Sequence, residues 1–365
     1  MSAAVTREQV LAALGQVHDP DLKRDLVSLG MIEDVVIDGD GVRFTVALTT
    51  PACPVKDDLE RQCRQVVAAL PGVARVEVTM TSKVRGRAQG IGDKKAIEGV
   101  AHVVAVGSGK GGVGKSTVAV NLAVALAADG ARVGLIDADV YGPNVPLMMG
   151  IQETPFQKDG KILPLEAHGL KLMSMGFLVE AGTPVIWRGP MLHGVIQNFT
   201  RDVAWGELDY LIVDLPPGTG DVQLSLAQQV PLSGAVIVCT PQQAALDDAV
   251  KAIAMFDKLE VPILGLIENM SYFICPGCDT RHEIFSHGGA RAEAEARGIP
   301  FLGEIPLDGA VREGGDRGAP IVVSAPNSRQ ADGFRQAARQ LAARLSIATA
   351  GAGEAVATPA IGASS

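Results

Sequence analysis

GKGGVGKS, residues 109–116, matches the phosphate-loop pattern G-x-x-x-x-G-K-[ST]. The apolar run HVVAV precedes it and a helical stretch, STVAVNLAVALAA, begins at its last residue, which is the strand–loop–helix context that such a loop requires. Glycines leave backbone N–H groups free to bind phosphate oxygens, and the start of a helix adds the positive end of its dipole. The stretch therefore predicts a nucleotide-binding loop made of Gly109, Lys110, Gly111, Gly112, Val113, Gly114, Lys115, Ser116 and Thr117.

Two lysines lie in this loop, although a phosphate loop needs only the second. Lys115 is expected to reach the β and γ phosphates of ATP, and the Ser116 hydroxyl is expected to bind Mg²⁺. Lys110 has no role in that ordinary pattern. It is either a solvated loop lysine or a residue that acts elsewhere.

The chain around the loop predicts an α/β fold. Continuous apolar strands alternate with helical segments between residues 100 and 345: HVVAVGS, RVGLIDAD, LDYLIVDLP, GAVIVCT and ILGLIENM. Such strands indicate a mostly parallel, doubly wound sheet that is covered on both faces. Asp137 and Asp139 end one strand and Asp214 ends another, which places them at the sheet edge where ligands bind. Asp214 is a Walker B-like acid for Mg²⁺.

The remaining chain is assigned to three further segments. Residues 1–81 predict a small α/β domain, because two helical stretches flank a hairpin marked by GDG, and a last strand, GVARVEVTM, follows. Residues 82–99 are rich in glycine and charge and predict a flexible linker. Residues 346–365 consist mainly of Ala, Gly, Ser and Thr and predict a disordered tail.

Composition excludes several classes of protein. The net charge of −9 over 365 residues argues against nucleic-acid binding. The five cysteines are too few for a disulfide framework. We find neither a signal peptide nor an apolar run of about twenty residues that could span a bilayer. A cytoplasmic protein that does not bind membranes is therefore expected.

Lys110 gives the loop the variant form K-G-G-x-G-K-[ST], which resembles the MinD and ParA group of P-loop ATPases. In that group the first lysine reaches the phosphates of the other subunit in a dimer, much as an arginine finger does. The resemblance implies that Lys110, Lys115 and Asp139 are catalytic, with Asp139 near the attacking water. It also implies that Asn269, in LIENMS, contacts the adenine ring.

The cysteine pair in FICPGCDTRHEIF, Cys275 and Cys278, permits three interpretations. A structural zinc site needs four ligands, and the spacing from Cys278 to His282 is too short for a usual zinc finger. A redox C-x-x-C would normally open a helix of a thioredoxin-like fold. A symmetric dimer would instead supply four thiolates, enough for an iron–sulfur cluster.

Residues 100–345 resemble the Mrp/ApbC family of iron–sulfur cluster carrier ATPases. The motifs that carry this resemblance are the variant phosphate loop, DADVYGPNVP, WRGPM, DLPPGTGD, IENMSYFICPGC and FSHGG. The family implies a homodimer in which Cys275 and Cys278 hold a bridging 4Fe-4S cluster. It also implies that a donor scaffold supplies the cluster and that apo iron–sulfur proteins receive it. Zinc can occupy the same thiolates.

The N-terminal segments DPDLKRDLVSLGMI and LTTPACPVKDDL resemble the small domain that is fused to bacterial Mrp proteins and that occurs alone in iron–sulfur assembly factors. Cys53 lies before a predicted helix, whose N-terminus would lower the pKa of the thiol and make it an accessory thiol. An ordinary half-buried cysteine is the alternative. For the whole chain, the alternative function is a MinD/ParA-like ATPase switch with a structural zinc at its dimer interface.

Overall fold

The computed structural model describes residues 5–84, 86, 96–178 and 189–356, except for the side chains of a few helical residues. Two compact units are present. One is formed by the first 85 residues with the chain from Ala342 onward, and the other by Gly86–Leu341.

The first unit is a small α/β structure. Its elements are α1 (Arg7–Leu14), β1 (His18–Asp19), β2 (Arg24–Asp25), β3 (Ile32–Asp38), β4 (Gly41–Leu48), α2 (Lys56–Ala68) and β5 (Arg75–Ser82). Strands β3 and β4 form the hairpin that GDG predicts, and β4 pairs in parallel with β5. Thr6 and Gln9 form a capping box that starts α1. Apolar side chains of both helices and the sheet fill one core that includes Leu14, Phe44 and Leu59.

The second unit is built on an eight-stranded sheet with the order β10-β11-β7-β12-β6-β13-β14-β17. All neighbours are parallel except β10 and β11 at one edge, which confirms the predicted mostly parallel α/β fold. The sheet strands are β6 (Val100–Gly107), β7 (Val133–Asp137), β10 (Leu165–Ala167), β11 (Leu170–Ser174), β12 (Leu208–Asp214), β13 (Gly234–Cys239), β14 (Ile263–Glu268) and β17 (Phe301–Glu304). Two short hairpins lie outside it: β8 (Gln157–Lys158) with β9 (Lys161–Ile162), and β15 (Phe273–Ile274) with β16 (Arg281–His282).

Helices lie between these strands and after the last of them. They are α3 (Lys115–Ala128), α4 (Val145–Met148), α5 (Gly189–Arg201), α6 (Asp221–Gln229), α7 (Gln243–Lys258), α8 (Gly289–Arg297), α9 (Gly309–Asp316), α10 (Ile321–Ser324) and α11 (Arg329–Val356). Successive residues of β6, from Val103 to Val106, point to opposite faces of the sheet and are all buried. Both faces are therefore covered, as the continuous apolar strands predict.

The predicted linker and the predicted C-terminal tail can be compared with the structure only in part. Most of the predicted linker, residues 82–99, lies outside the described residues. The predicted disordered tail differs from the structure over residues 346–356, because α11 continues to Val356. Alanine is the best helix former, and extending an existing helix avoids the cost of nucleating a new one. Within the described part of the chain, no helix is both long and apolar enough to cross a membrane.

Candidate nucleotide site and cysteine hairpin

The phosphate loop joins the end of β6 to the start of α3. Gly112 and Gly114 both adopt φ of +80°, in the left-handed region that glycine tolerates. Gly114 is the residue that caps α3, and Lys115 is its first helical residue. The loop therefore places backbone N–H groups and the positive end of a 14-residue helix at the carboxyl edge of the sheet.

Lys115 is the central cation of this edge. Its side chain is 5% exposed, and its Nζ lies 2.6 Å from Asp214 Oδ1 and 3.7 Å from Asp139 Oδ2. Nζ also donates to the Ser116 hydroxyl at 3.3 Å. The structure thus brings together four residues that the sequence singled out on three separate segments.

Asp137 completes this group and was not among the predicted site residues. Its Oδ2 accepts hydrogen bonds from the Ser174 hydroxyl at 2.9 Å and from the Val145 amide at 3.2 Å. Asp214 and Asp137 are register partners on β12 and β7. Burial, and then the neighbouring Asp214 carboxylate, raises the pKa of Asp137 to about 7. The only sequence signal for it was its place in the strand end LIDAD.

The acids outnumber the single lysine, and one of their oxygens has no partner. Burial raises the pKa of Asp214, although Lys115 opposes this. Asp214 Oδ2 is fully buried and accepts no hydrogen bond within the described residues. A buried carboxylate oxygen without a donor, beside a serine hydroxyl, is a suitable donor set for Mg²⁺, which prefers oxygen ligands. Ser116 and Asp214 therefore fit the magnesium ion that the motif predicts.

Lys110 lies in a different environment from Lys115. It is half-buried, and its ammonium makes no ion pair or hydrogen bond with any residue that the structure describes. The pKa of Asp248 is lowered mainly by its hydrogen bond to Lys251, and Lys110 adds only a weaker attraction. Lys110 thus has no ion-pair partner within the described residues, whereas Asp139 and Asp214 hold Lys115 in place.

Asn269 contacts the phosphate loop itself. It is 5% exposed, and its Nδ2 donates to the Val113 carbonyl at 2.8 Å. A Cβ on Gly114 would lie only 2.2 Å from the same Nδ2 atom. The end of β14 therefore packs directly against the phosphate loop. The predicted contact with adenine stays a prediction.

Cys275 and Cys278 lie in the loop of the β15–β16 hairpin, which we call the cysteine hairpin (residues 273–282). Cys275 is half-buried and Cys278 is exposed. The loop is closed by backbone hydrogen bonds from Cys275 to Thr280 and from Asp279 to Cys275, each of 2.9 Å. Hydrogen bonds with Thr280, followed by one with Cys275, lower the pKa of the Cys278 thiol. This favours the thiolate form that binds metals.

The described residues offer these two cysteines no third metal ligand. One group of three, Glu268, His287 and Glu304, could jointly hold a metal ion, and neither cysteine belongs to it. His282, which follows the cysteines in sequence, instead faces Phe273 across the hairpin. A complete zinc site within one chain is therefore not formed by the part of the chain that the structure describes.

Of the two interpretations of Cys53, the structure favours the ordinary half-buried cysteine over a thiol with a lowered pKa. Helix α2 begins three residues later, at Lys56, and the thiol is half-buried. Burial raises the pKa of Cys53 to about 11, and the helix start does not lower it below the ordinary value. Cys63 and Cys239 are fully buried, as expected for packing residues, and burial raises their pKa values to about 11 and about 12.

Some residues of the predicted motifs cannot be placed. In WRGPM, Trp187 and Arg188 lie outside the described residues. The side chains of His193 and Asp221 are not described either. Glu268 lies in the motif IENMSYFICPGC but was not given a role from the sequence; it is fully buried beside Asn269 and accepts hydrogen bonds from Ser271, Gly288 and Ala290.

Family models match both units. One, described as a NUBPL iron-transfer P-loop NTPase, matches residues 99–342, and another, described as an iron-sulfur cluster assembly protein, matches residues 7–79. The iron-sulfur cluster carrier protein of Deinococcus radiodurans is 54% identical over 344 residues, which cover 94% of this chain and 96% of that protein. That of Synechocystis sp. is 49% identical over 350 residues, covering 94% and 99%.

Solved structures agree with the fold. A nucleotide-binding protein in complex with ADP from Archaeoglobus fulgidus is 41% identical, with a TM-score of 0.56 over 61% of this chain and 88% of that one. The septum site-determining protein MinD with Mg-ADP from Pyrococcus horikoshii is 24% identical, with a TM-score of 0.51 over 65% and 94%. The latter likeness shows the fold alone.

Proposed function

This chain belongs to the family of iron–sulfur cluster carrier P-loop NTPases, and on that basis we propose that it carries a 4Fe-4S cluster and hydrolyses ATP. The cluster is cargo, received from a donor scaffold and passed to apo iron–sulfur proteins. Hydrolysis to ADP and phosphate is coupled to that transfer.

The nucleotide is held by residues 109–117. Lys115 and the loop amides bind the phosphates, Ser116 and Asp214 hold Mg²⁺, and Asn269 borders the adenine. Bound Mg²⁺ supplies positive charge to the phosphate oxygens. Asp139, 3.7 Å from the Lys115 ammonium, orients the attacking water. Nucleotide binding is supported by the ADP that the Archaeoglobus relative contains.

The cysteine hairpin supports the cargo half of this function most directly. Its two thiols lie in an outward loop, with one exposed, and the described residues of the same chain add no further ligand. Two such hairpins related by a two-fold axis supply the four thiolates that a 4Fe-4S cluster requires. The cluster therefore bridges two copies of the chain.

Lys110 connects the two halves of the proposal. Its ammonium has no partner among the described residues, so it is free to reach the phosphates bound by the partner subunit. A cation supplied in trans stabilises transition-state charge only after the dimer forms. Hydrolysis thus depends on the same assembly that holds the cluster.

The test uses full-length protein that is purified and reconstituted without oxygen. We would measure iron, sulfide and zinc per dimer in the wild type and in Cys275→Ala, with Cys63→Ala as a cysteine control from a buried core. The proposal expects about four irons and four sulfides per dimer in the wild type and in the control, and loss of both in Cys275→Ala.

A different metal content would redirect the interpretation. One zinc per dimer, with no iron after reconstitution, would leave an ATPase switch with a structural zinc as the function. Coupling is tested separately with Lys115→Ala, because transfer rates that equal the wild-type rates in the presence of ATP would remove hydrolysis from the transfer step.

A further inference from the structure

The cysteine hairpin is too short to hold its own shape. Strands β15 and β16 contribute two residues each, and Phe273 pairs with His282 while Ile274 pairs with Arg281. An isolated two-stranded hairpin is marginal in water even when it is longer. The orientation of its loop must therefore depend on contacts with the rest of the unit.

The base of the hairpin pairs with Leu307 through its backbone, and several further contacts are made by the side chain of Arg281. Its guanidinium carbon lies 3.9 Å from the centre of the Tyr272 ring. Its Nη2 lies 3.1 Å from His287 Nδ1 and 2.9 Å from His287 Nε2, and its Nη1 lies 3.6 Å from Glu304 Oε1. One residue of β16 thus joins the hairpin to the end of β17 and to the loop before α8.

The histidine that Arg281 contacts is itself held in place. Ser271 is fully buried and lies 3.0 Å from His287 Nδ1, and its hydroxyl donates to Glu268 Oε1 at 2.6 Å. Glu268 also accepts from the Gly288 and Ala290 amides at 3.0 and 2.8 Å, at the start of α8. Arg281 is therefore anchored, through His287, to a buried carboxylate at the end of β14.

The cluster around Arg281 contains two carboxylates and one guanidinium. Glu268, His287 and Glu304 are close enough to hold a cation, but the Arg281 guanidinium already lies among them. A metal ion there would be repelled by the arginine unless the hairpin moved away. We call the contacts of Arg281 with Tyr272, His287 and Glu304 the clamp of the cysteine hairpin.

We propose that Arg281 is a positioning residue, which clamps the cysteine hairpin and so slows the release of what Cys275 and Cys278 hold. The inference rests on the proposed function, because it concerns the same cysteines. A planar guanidinium that stacks on Tyr272 and pairs with Glu304 resists rotation of the hairpin about its base. Loss of the clamp allows the two thiols to lose their common orientation, which loosens their hold on the cargo.

Arg329 provides a matched control. It also pairs with the hairpin loop, at 3.4 Å from Asp279, but both side chains are largely exposed, at 61% and 80%. An exposed ion pair of this kind contributes little to stability. Substitution of Arg329 therefore removes an arginine contact from the same hairpin without opening the clamp.

The experiment compares Arg281→Gln, Arg281→Lys and Arg329→Gln with the wild type as full-length proteins that carry equal amounts of cluster. Release is followed without oxygen by iron transfer to a chelator, with visible circular dichroism of the bound cluster and thermal melting recorded in parallel. Arg281→Gln is expected to release iron about five- to tenfold faster, as the loss of a cation–π contact and a half-exposed ion pair allows. Arg281→Lys keeps the charge but not the planar stack on Tyr272. Its rate of iron release should therefore lie between those of the wild type and Arg281→Gln.

The dichroism separates positioning from mere folding, because an altered cluster spectrum at an unchanged melting temperature reports a changed thiolate geometry. Equal release rates and equal spectra in Arg281→Gln and the wild type would overturn the inference, as would an equal effect of Arg329→Gln. If the wild type binds no cluster, the proposed function fails, and Co²⁺ bound to the thiolates becomes the probe of the clamp. Co²⁺ dissociation that is unaffected by Arg281→Gln, or absence of Co²⁺ binding in the wild type, would then overturn the inference as well.

Discussion

Lys110 and Lys115 lie five residues apart in one loop but differ in their ion-pair partners within the same chain. Lys115 is buried among the carboxylates of Asp139 and Asp214, whereas Lys110 has no ion-pair partner within the described residues. Lys115 therefore stabilises the fold in addition to its proposed role in hydrolysis. Lys110 has only the proposed role in hydrolysis.

This contrast predicts that the two lysines contribute very differently to the free energy of unfolding. Lys115→Met should lower the free energy of unfolding of the nucleotide-free protein by about 3–5 kcal/mol, because it leaves buried carboxylates without their cation. Lys110→Met should change it by less than about 0.5 kcal/mol, because the Lys110 ammonium makes no ion pair or hydrogen bond within the described residues. Both should abolish hydrolysis. Chemical denaturation checks the stabilities, and equal losses in the two variants would contradict this division of roles.

Asp137 predicts a pH dependence of stability in the nucleotide-free protein. Its pKa is about 7 in the folded chain, against an ordinary value of 3.8, so the native state holds a proton that the unfolded state releases. This contribution to stability is complete below about pH 4 and is lost as the pH rises to about 7, with a slope of at most about 1.4 kcal/mol per pH unit for one proton.

Denaturation midpoints measured between pH 5 and pH 8 test this assignment. Asp137→Asn cannot ionise, so its stability should change less steeply over that range than that of the wild type. A slope that survives unchanged in Asp137→Asn would assign the titration to another group. Asp214, the register partner of Asp137 on β12, is the first alternative, because burial raises its pKa as well.

At the scale of elements, the phosphate loop and the end of β14 depend on each other. Gly112 and Gly114 share the same φ of +80°, but a Cβ on Gly112 would meet nothing within 4 Å, while one on Gly114 would lie 2.2 Å from Asn269 Nδ2. Glycine is favoured at position 112 by the left-handed backbone alone. At position 114 it is favoured both by the left-handed backbone and by the close approach of Asn269.

A double-mutant cycle separates the two requirements. Gly112→Ala should cost about 1–2 kcal/mol for the left-handed backbone alone. Gly114→Ala should lower the free energy of unfolding by about 1 kcal/mol more than Gly112→Ala does, because Asn269 must move. In an Asn269→Ala background, this extra cost should disappear. Unfolding free energies give the coupling, and an additive result would mean that Asn269 does not limit the space at Gly114.

For the whole molecule, Lys110 predicts that neither subunit is sufficient. In the proposed dimer, a Lys110→Met subunit keeps its own Lys115 and Asp139 but cannot complete the site of its partner. An Asp139→Asn subunit has the reverse defect. Each variant alone should be inactive, whereas a mixed dimer should contain one complete site, made of a Lys110→Met subunit that receives Lys110 from its partner.

Mixing the two variants in equal amounts tests this arrangement. Random pairing gives about a quarter of the wild-type sites in working order, if the dimer is symmetric. ATP hydrolysis is the measurement, and a mixture of Lys110→Met with Lys115→Met serves as the control, since a nucleotide-deficient partner can also lend Lys110. A mixture of Lys110→Met and Asp139→Asn that stays inactive would mean that Lys110 does not act in trans.

The amino-acid sequence predicted the fold class, which the structure confirms, and it singled out four residues that the structure brings together at one edge of the sheet. Apolar strands alternating with helices require a parallel sheet, and the carboxyl ends of parallel strands meet at one edge. Lys115, Ser116, Asp139 and Asp214 were therefore identifiable from local motifs, because each motif ends a strand or starts a helix at that edge. The cysteine pair was identifiable because its spacing is local.

Contacts that depend on strand register and on burial could not be predicted from local motifs. Asp137 faces Asp214 because β7 and β12 pair in that register, and Asn269 reaches the Val113 carbonyl across 156 positions of sequence. Arg281 gains Glu304 and Tyr272 as partners only when the hairpin packs on the sheet edge. The expected lowering of the Cys53 pKa is not found for the same reason, since the burial that raises this pKa comes from distant side chains. Local patterns fix which residue ends a strand, whereas desolvation and side-chain pairing are set by neighbours that the chain brings together only on folding.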